Sequence, residues 1–204
     1  MFKKRIKEQN LKNLISISKM LKTIQHFVFY GTLLGLTREN DIIDGDDDVD
    51  FLVDIKDKKK LIKIMTKSKS FQLNKKNSNK YFIQYSLKRN NLETFIDFYF
   101  YQNKFSKNYI IERHNFLSNI SNPNYALHIP KQNIFPIMKN KKFKLVCMPK
   151  HPEKMCEYLY GQNWKTPLKK NTGYRMEIVN NKPMLIKRSF IGYLTREIKK
   201  KLDL

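Results

Sequence analysis

Asp48 and Asp50 stand one residue apart in Asp48-Val49-Asp50-Phe51-Leu52-Val53, a run whose valine and phenylalanine content predicts a β-strand. Side chains at i and i+2 of a strand share a face, so the two carboxylates stand side by side while Val49 and Phe51 face the buried side. Two adjacent carboxylates repel one another unless a cation lies between them. Oxygen-only donors suit Mg²⁺ or Mn²⁺, which commonly take one or two carboxylates together with substrate phosphates. Asp97 offers a third ligand. It lies between Ile96 and Phe98 in an otherwise apolar strand, where an unpaired carboxylate is costly. The chemistry such a set supports is metal-assisted reaction at a substrate phosphate. Asp97 can also serve as a base if an acceptor oxygen reaches it.

The surrounding residues sharpen this reading. The chain carries 41 Lys and Arg against 18 Asp and Glu, a formal net charge of +23. Half of the acids nevertheless fall in one short stretch: Glu39, Asp41, Asp44, Asp46, Asp47, Asp48, Asp50, Asp54 and Asp57. Asp41, Asp44, Asp46 and Asp47 read as a solvated loop that at most deepens the local field, and their spacing does not fit an EF-hand. Upstream, Gly31-Thr32 follows a short apolar strand directly. Such a turn leaves backbone N–H groups to meet a phosphate, and Thr32 adds a hydroxyl.

The elements that must position these groups follow from periodicity. Residues 5–25 predict a helix with Leu14, Ile17, Leu21 and Ile24 inward. Phe27–Tyr30 predicts a short strand, and Gly31–Arg38 a turn that opens a second helix. A loop from Glu39 to Asp46 leads into the Asp48 strand. Residues 56–68 predict a lysine-rich helix with Leu61, Ile62, Ile64 and Met65 inward. Phe71–Leu73, Tyr81–Tyr85 and Glu93–Phe100 predict further strands. The remainder, with seven prolines from Pro123 onward, reads as loop-rich with a last helix near 186–202. That order predicts an α/β (α+β) domain on a small mixed sheet flanked by helices.

Composition restricts the partners. No run of 18 apolar residues is present, and the basic N-terminus lacks the apolar core of a signal peptide, so a cytoplasmic protein is expected. Cys147 and Cys156 read as reduced thiols, without the spacing of a zinc site. The basic excess favours polyanionic partners such as nucleic acid, nucleotide donors or anionic lipid, and the expected C-terminal helix either packs on the domain or, being basic and amphipathic, lies peripherally on an anionic membrane at its inner face. A nucleic-acid-binding protein is the rival from another class. No recognised motif for it occurs, and the aromatics sit in apolar strands. His114, His128 and His151 read as surface or structural.

The segments Tyr30-Gly31-Thr32-Leu33-Leu34-Gly35-Leu36-Thr37-Arg38 and Asp46-Asp47-Asp48-Val49-Asp50 together resemble the signature of the LicD family, phosphocholine transferase-like proteins related to fukutin, of nucleotidyltransferase fold. The resemblance continues in Phe95-Ile96-Asp97-Phe98, in His128-Ile129-Pro130-Lys131 with Ile134-Phe135-Pro136, and in Pro152-Glu153-Lys154 with Tyr158-Leu159-Tyr160-Gly161 and Trp164. It covers roughly residues 10–168, and so implies a catalytic domain over residues 1–168 followed by a basic C-terminal extension, 169–204. It implies Asp48, Asp50 and Asp97 as metal carboxylates, Gly31 and Thr32 on the phosphate side, and Arg38 near the donor phosphates or paired with an Asp of the loop. The family usually carries Pro-Trp before the acidic run, where this chain has Asp44-Gly45. The implied activity is that of a phosphotransferase for substituted phosphate groups. A CDP-linked alcohol would be the donor and a glycan, free or lipid-linked, the acceptor. A nucleotidyltransferase that leaves the nucleotide on its acceptor is the nearest alternative. Glycosyl transfer and a degenerate scaffold are more distant ones.

Overall fold

The computed structural model describes residues 2–89, 91–113, 126–167 and 174–187. Helix α1 spans Phe2–Met20, and Leu14 and Ile17 on it, with Leu21 just beyond, are fully buried. Strand β1 (His26–Val28) leads straight into helix α2 (Tyr30–Arg38), and a loop connects α2 to β2 (Asp48–Asp54). A single 3-10 turn precedes α3 (Lys58–Lys67). Leu61 and Met65 of α3 are buried as the periodicity predicts, but Ile62 is 37% exposed. One residue on from Leu61 is about 100° around the helix, which takes Ile62 off the inward face.

Strands β3 (Gln72–Leu73), β4 (Phe82–Arg89) and β5 (Leu92–Gln102) follow. β4 runs four residues further than its sequence suggests, because it forms a hairpin with β5 that pairs Arg89 with Leu92. The sheet order is β1-β2-β5-β4-β3, with β2 and β5 the parallel pair at its centre. β6 (Tyr109–Glu112) pairs with the far end of β5, and β7 (Leu127–Pro130) pairs with β6. The mixed sheet with helices against it is the α+β architecture expected.

The stretch after residue 100 is more ordered than its prolines suggest. It holds α4 (Lys131–Ile134), the β8–β9 ribbon (Met138–Lys139 and Cys147–Met148) and α5 (Pro152–Tyr160). A hairpin of β10 (Tyr174–Val179) and β11 (Lys182–Lys187) follows. Residues 186 and 187, expected to begin a helix, belong to β11; the rest of that expected helix lies outside the described residues.

The central strands separate two faces. Val49, Phe51, Ile96 and Phe98 are fully buried on one of them, with Phe51 stacked on Phe98 at 5.7 Å between ring centroids. Thr94 shares that side of β5 and bonds to Asn13 of α1, so α1 covers the apolar face. The opposite face carries Asp48, Asp50 and Asp97, and α2 enters there.

Candidate active site

Register brings the carboxylates together. In the parallel ladder Asp50 pairs with Asp97, and in the neighbouring antiparallel ladder Asp97 pairs with Gln84. One row across three strands therefore reads Asp50, Asp97, Gln84. Gln84 Nε2 donates to Asp97 Oδ1 at 2.9 Å, which fixes the carboxylate's rotation. Asp48 lies one step along the same face, and Asp48, Asp50 and Asp97 each present an oxygen within 4.8 Å of the others. This is a cluster able to hold a metal ion.

The turn from β1 into α2 holds Asp50 from the other side. The backbone N–H of Asp50 donates to Thr32 Oγ1 at 2.8 Å, and the backbone N–H of Thr32 donates back to Asp50 Oδ2 at 3.3 Å. The Phe29 N–H donates to the Asp50 carbonyl at 3.0 Å. Thr32, expected from the sequence on the phosphate side, is thus 2% exposed and engaged with Asp50. Tyr30 occupies a left-handed backbone conformation, φ 33°, between Phe29 and Tyr99, whose ring centroids lie 4.0 and 4.9 Å from its own. A bulky residue at positive φ is strained and persists only when its surroundings over-determine it.

Gly31 has a steric reason to be glycine. A Cβ there would sit 2.8 Å from Asp46 Oδ2 and 3.4 Å from Asp50 Oδ2. Asp46, which its sequence places in a solvated loop, is therefore part of the site: it closes over the glycine and makes a second acidic group with Asp47 and Asp48. Its backbone is held from beneath. Asn10 Nδ2 donates to the carbonyls of Asp46 and Asp48 at 2.8 and 3.2 Å, and Asn13 bonds to both Asn10 and Thr94. Gly35 plays a parallel part, since a Cβ would lie 2.7 Å from the Asp41 carbonyl oxygen where the loop packs on α2.

These residues line a cleft of about 350 Å³ formed by Tyr30, Gly31, Asp46, Asp48, Asp50, Tyr99, Tyr160 and Met176. Tyr160 comes from α5 and Met176 from β10, both remote in sequence from the acidic run. Tyr160 lies in Tyr158-Leu159-Tyr160-Gly161, one of the segments that resemble the LicD family; nothing in the sequence marks Met176. Arg38 is not brought to the cleft. It closes α2 at the end away from Asp50, and its guanidinium pairs with Glu39 at 2.6 Å. Eight residues of helix separate it from Tyr30, about 12 Å.

The electrostatics follow from crowding acids in a buried place. Burial, and then the charges of Asp48, Asp97 and Asp46, push the Asp50 carboxyl well above its usual range. Burial also raises Asp97 to about 6, against a partial downward pull from the Gln84 bond. Burial first, and then the Asp50 charge among others, keeps Tyr99 and Tyr160 protonated far above the ordinary phenol range. Such a set of oxygens is costly by itself and is relieved by a divalent cation.

The family model described as LicD/FKTN/FKRP, nucleotidyltransferase domain, matches residues 23–150. No curated protein matches the chain. The match runs from just before β1 to the loop before α5. It takes in the β1–α2 turn, the acidic loop and all three carboxylates of the site, together with Gln84.

Proposed function

From its membership of the LicD family, which makes a transferase role its coarse assignment, we propose that this chain passes a phospho-alcohol from a CDP-linked donor to a glycan hydroxyl in cell-surface polysaccharide synthesis. A phosphocholine- or phosphoribitol-like group fits that description. The observation that carries the reading is the row Asp50–Asp97 with Asp48 beside it, three carboxylates close enough to share an ion, of which Asp48 and Asp50 line the small cleft. Their donor atoms are all oxygens, and two of them are buried acids raised above their usual range, which fits Mg²⁺ or Mn²⁺.

Asp48, Asp50 and Asp97 would hold that ion. An ion held there would supply charge neutralisation at the donor diphosphate. The protein's own residues do the rest. Thr32 locks Asp50 against the α2 turn, and Gln84 locks Asp97, so neither carboxylate needs to reorganise. Gly31 leaves room for Asp46 at the cleft edge. Tyr30, Tyr99 and Tyr160 wall the cleft with apolar ring surface that limits water.

The test is product identity. Incubation with a CDP-linked alcohol, a glycan acceptor and Mg²⁺ should release CMP and place a phosphodiester on the glycan. Asp50→Asn should abolish this while keeping the native circular dichroism spectrum. Pyrophosphate release from a nucleoside triphosphate, with a nucleotidylated product, would replace the proposal by the nucleotidyltransferase reading on the same carboxylates.

A further inference from the structure

The loop between β5 and β6, residues 103–108, carries the most exposed large apolar side chain among the described residues. Phe105 is 64% exposed, and its loop neighbours Lys104 and Lys107 are exposed beside it. The loop is braced from behind rather than free. Lys131 Nζ donates to the carbonyls of Ser106 and Asn103 at 2.6 and 3.3 Å, and the Lys131 N–H donates to the Asn108 carbonyl at 2.8 Å. A braced loop that displays a phenylalanine does so at a standing cost in exposed apolar surface.

One cation packs on the ring and another lies beyond it. The Arg113 guanidinium lies 5.8 Å from the Phe105 ring centroid and 5.9 Å from that of Tyr81, and Lys80 Nζ lies 5.4 Å from the Tyr81 ring. Arg113 thus packs on the Phe105 ring, exposed Lys104 and Lys107 flank it in the loop, and Lys80 lies on the far side of Tyr81. We propose that this surface docks the protein on an anionic lipid bilayer, with Phe105 inserted at the headgroup–acyl boundary and the cations meeting lipid phosphates.

Charge complementarity selects the occupant. A chain of net charge +23 is drawn to any polyanion, but Phe105 projects from a loop and shares Arg113 with Tyr81. Base stacking calls for flat ring faces open to the bases. A protruding phenylalanine in a basic rim fits the amphipathic boundary of a membrane instead. The position is also consistent with an acceptor at the membrane. The Phe100 N–H donates to the Tyr81 carbonyl, and Phe100 is three residues beyond Asp97, about 10 Å along the strand. The docking itself does not depend on the transferase reading, since lipid binding is measured without donor or acceptor.

The experiment is co-sedimentation of the full chain with vesicles of phosphatidylcholine alone, and of phosphatidylcholine with one-third phosphatidylglycerol. Wild-type protein should sediment with the anionic vesicles only. Phe105→Ala should weaken binding about tenfold or more, and the pair Lys104→Glu with Lys107→Glu further, at unchanged thermal melting. Phe105→Trp should give a blue shift on vesicle addition and quenching by brominated lipid, against the constant signal of the buried Trp164. Wild-type protein that ignores anionic vesicles, or Phe105→Ala that binds them as tightly, overturns the proposal. So does a Phe105 patch whose substitutions weaken retention of a single-stranded oligonucleotide but leave vesicle binding unchanged.

Discussion

Replacing Asp97 by asparagine should make the metal-free protein more stable at neutral pH, against the usual direction of a change in a buried site. Asp97 is 6% exposed, and burial lifts its carboxyl from 3.8 to about 6. The folded state therefore binds this proton more tightly than the unfolded chain does. Between about pH 4 and pH 6 the folded protein must give up a proton that the unfolded chain has already lost, so stability falls as pH rises through that window. The shift is about 2 units at 1.36 kcal/mol each, or about 3 kcal/mol lost above pH 6. The asparagine of the Asp97→Asn variant carries no charge, and its side-chain oxygen still accepts from Gln84, so the variant escapes that loss. For a chain of this length, about 3 kcal/mol corresponds to a rise of about 6–12 °C in Tm. The assay is thermal unfolding in EDTA at pH 4 and pH 8: the two proteins should melt together at pH 4 and separate at pH 8. Mg²⁺ at about 1,000 times the wild-type Kd should reverse the order, because the wild type then gains about 4.1 kcal/mol, more than its deficit, and the variant far less. A variant no more stable than wild type at pH 8 in EDTA would refute the placement of Asp97 in a buried acidic site.

Three further outcomes follow from the same geometry. Gly31→Ala should displace the Asp46 carboxylate, the far end of a flexible side chain 2.8 Å from the new Cβ; activity should drop about tenfold or more, and in an Asp46→Ala background most of that penalty should vanish, as a double-mutant cycle would show. Asn10→Ala strips donors from the Asp46 and Asp48 carbonyls and should cost about 1–3 kcal/mol in denaturant unfolding. Arg38→Ala should leave the donor KM within about twofold in steady-state kinetics, because its guanidinium pairs with Glu39 on the α2 end away from the cleft; a larger rise would place Arg38 at the donor phosphates as the family resemblance implies.

Local periodicity was enough to align Asp48 with Asp50, since a strand repeats every two residues whatever surrounds it. The same logic made Asp97 conspicuous: a carboxylate between Ile96 and Phe98 needs a reason, and the strand type alone implies its burial. The α1 stripe of Leu14, Ile17 and Leu21 was legible for the corresponding helical reason. What local pattern leaves open is register and approach. Only strand pairing decides that Asp97 meets Asp50 and that Gln84 lies on its other side, because a slip of one residue would turn Asp97 to the opposite face. Only the packing of α2 against β2 shows that Thr32 is engaged with Asp50 and that Gly31 makes space for Asp46, a residue indistinguishable by sequence from its solvated neighbours. Arg38 illustrates the converse, a residue with site-like sequence context carried off by helix length and captured by Glu39. Tyr160 and Met176 complete the cleft from more than 100 residues downstream, a distance over which no local periodicity operates and only tertiary packing brings side chains together.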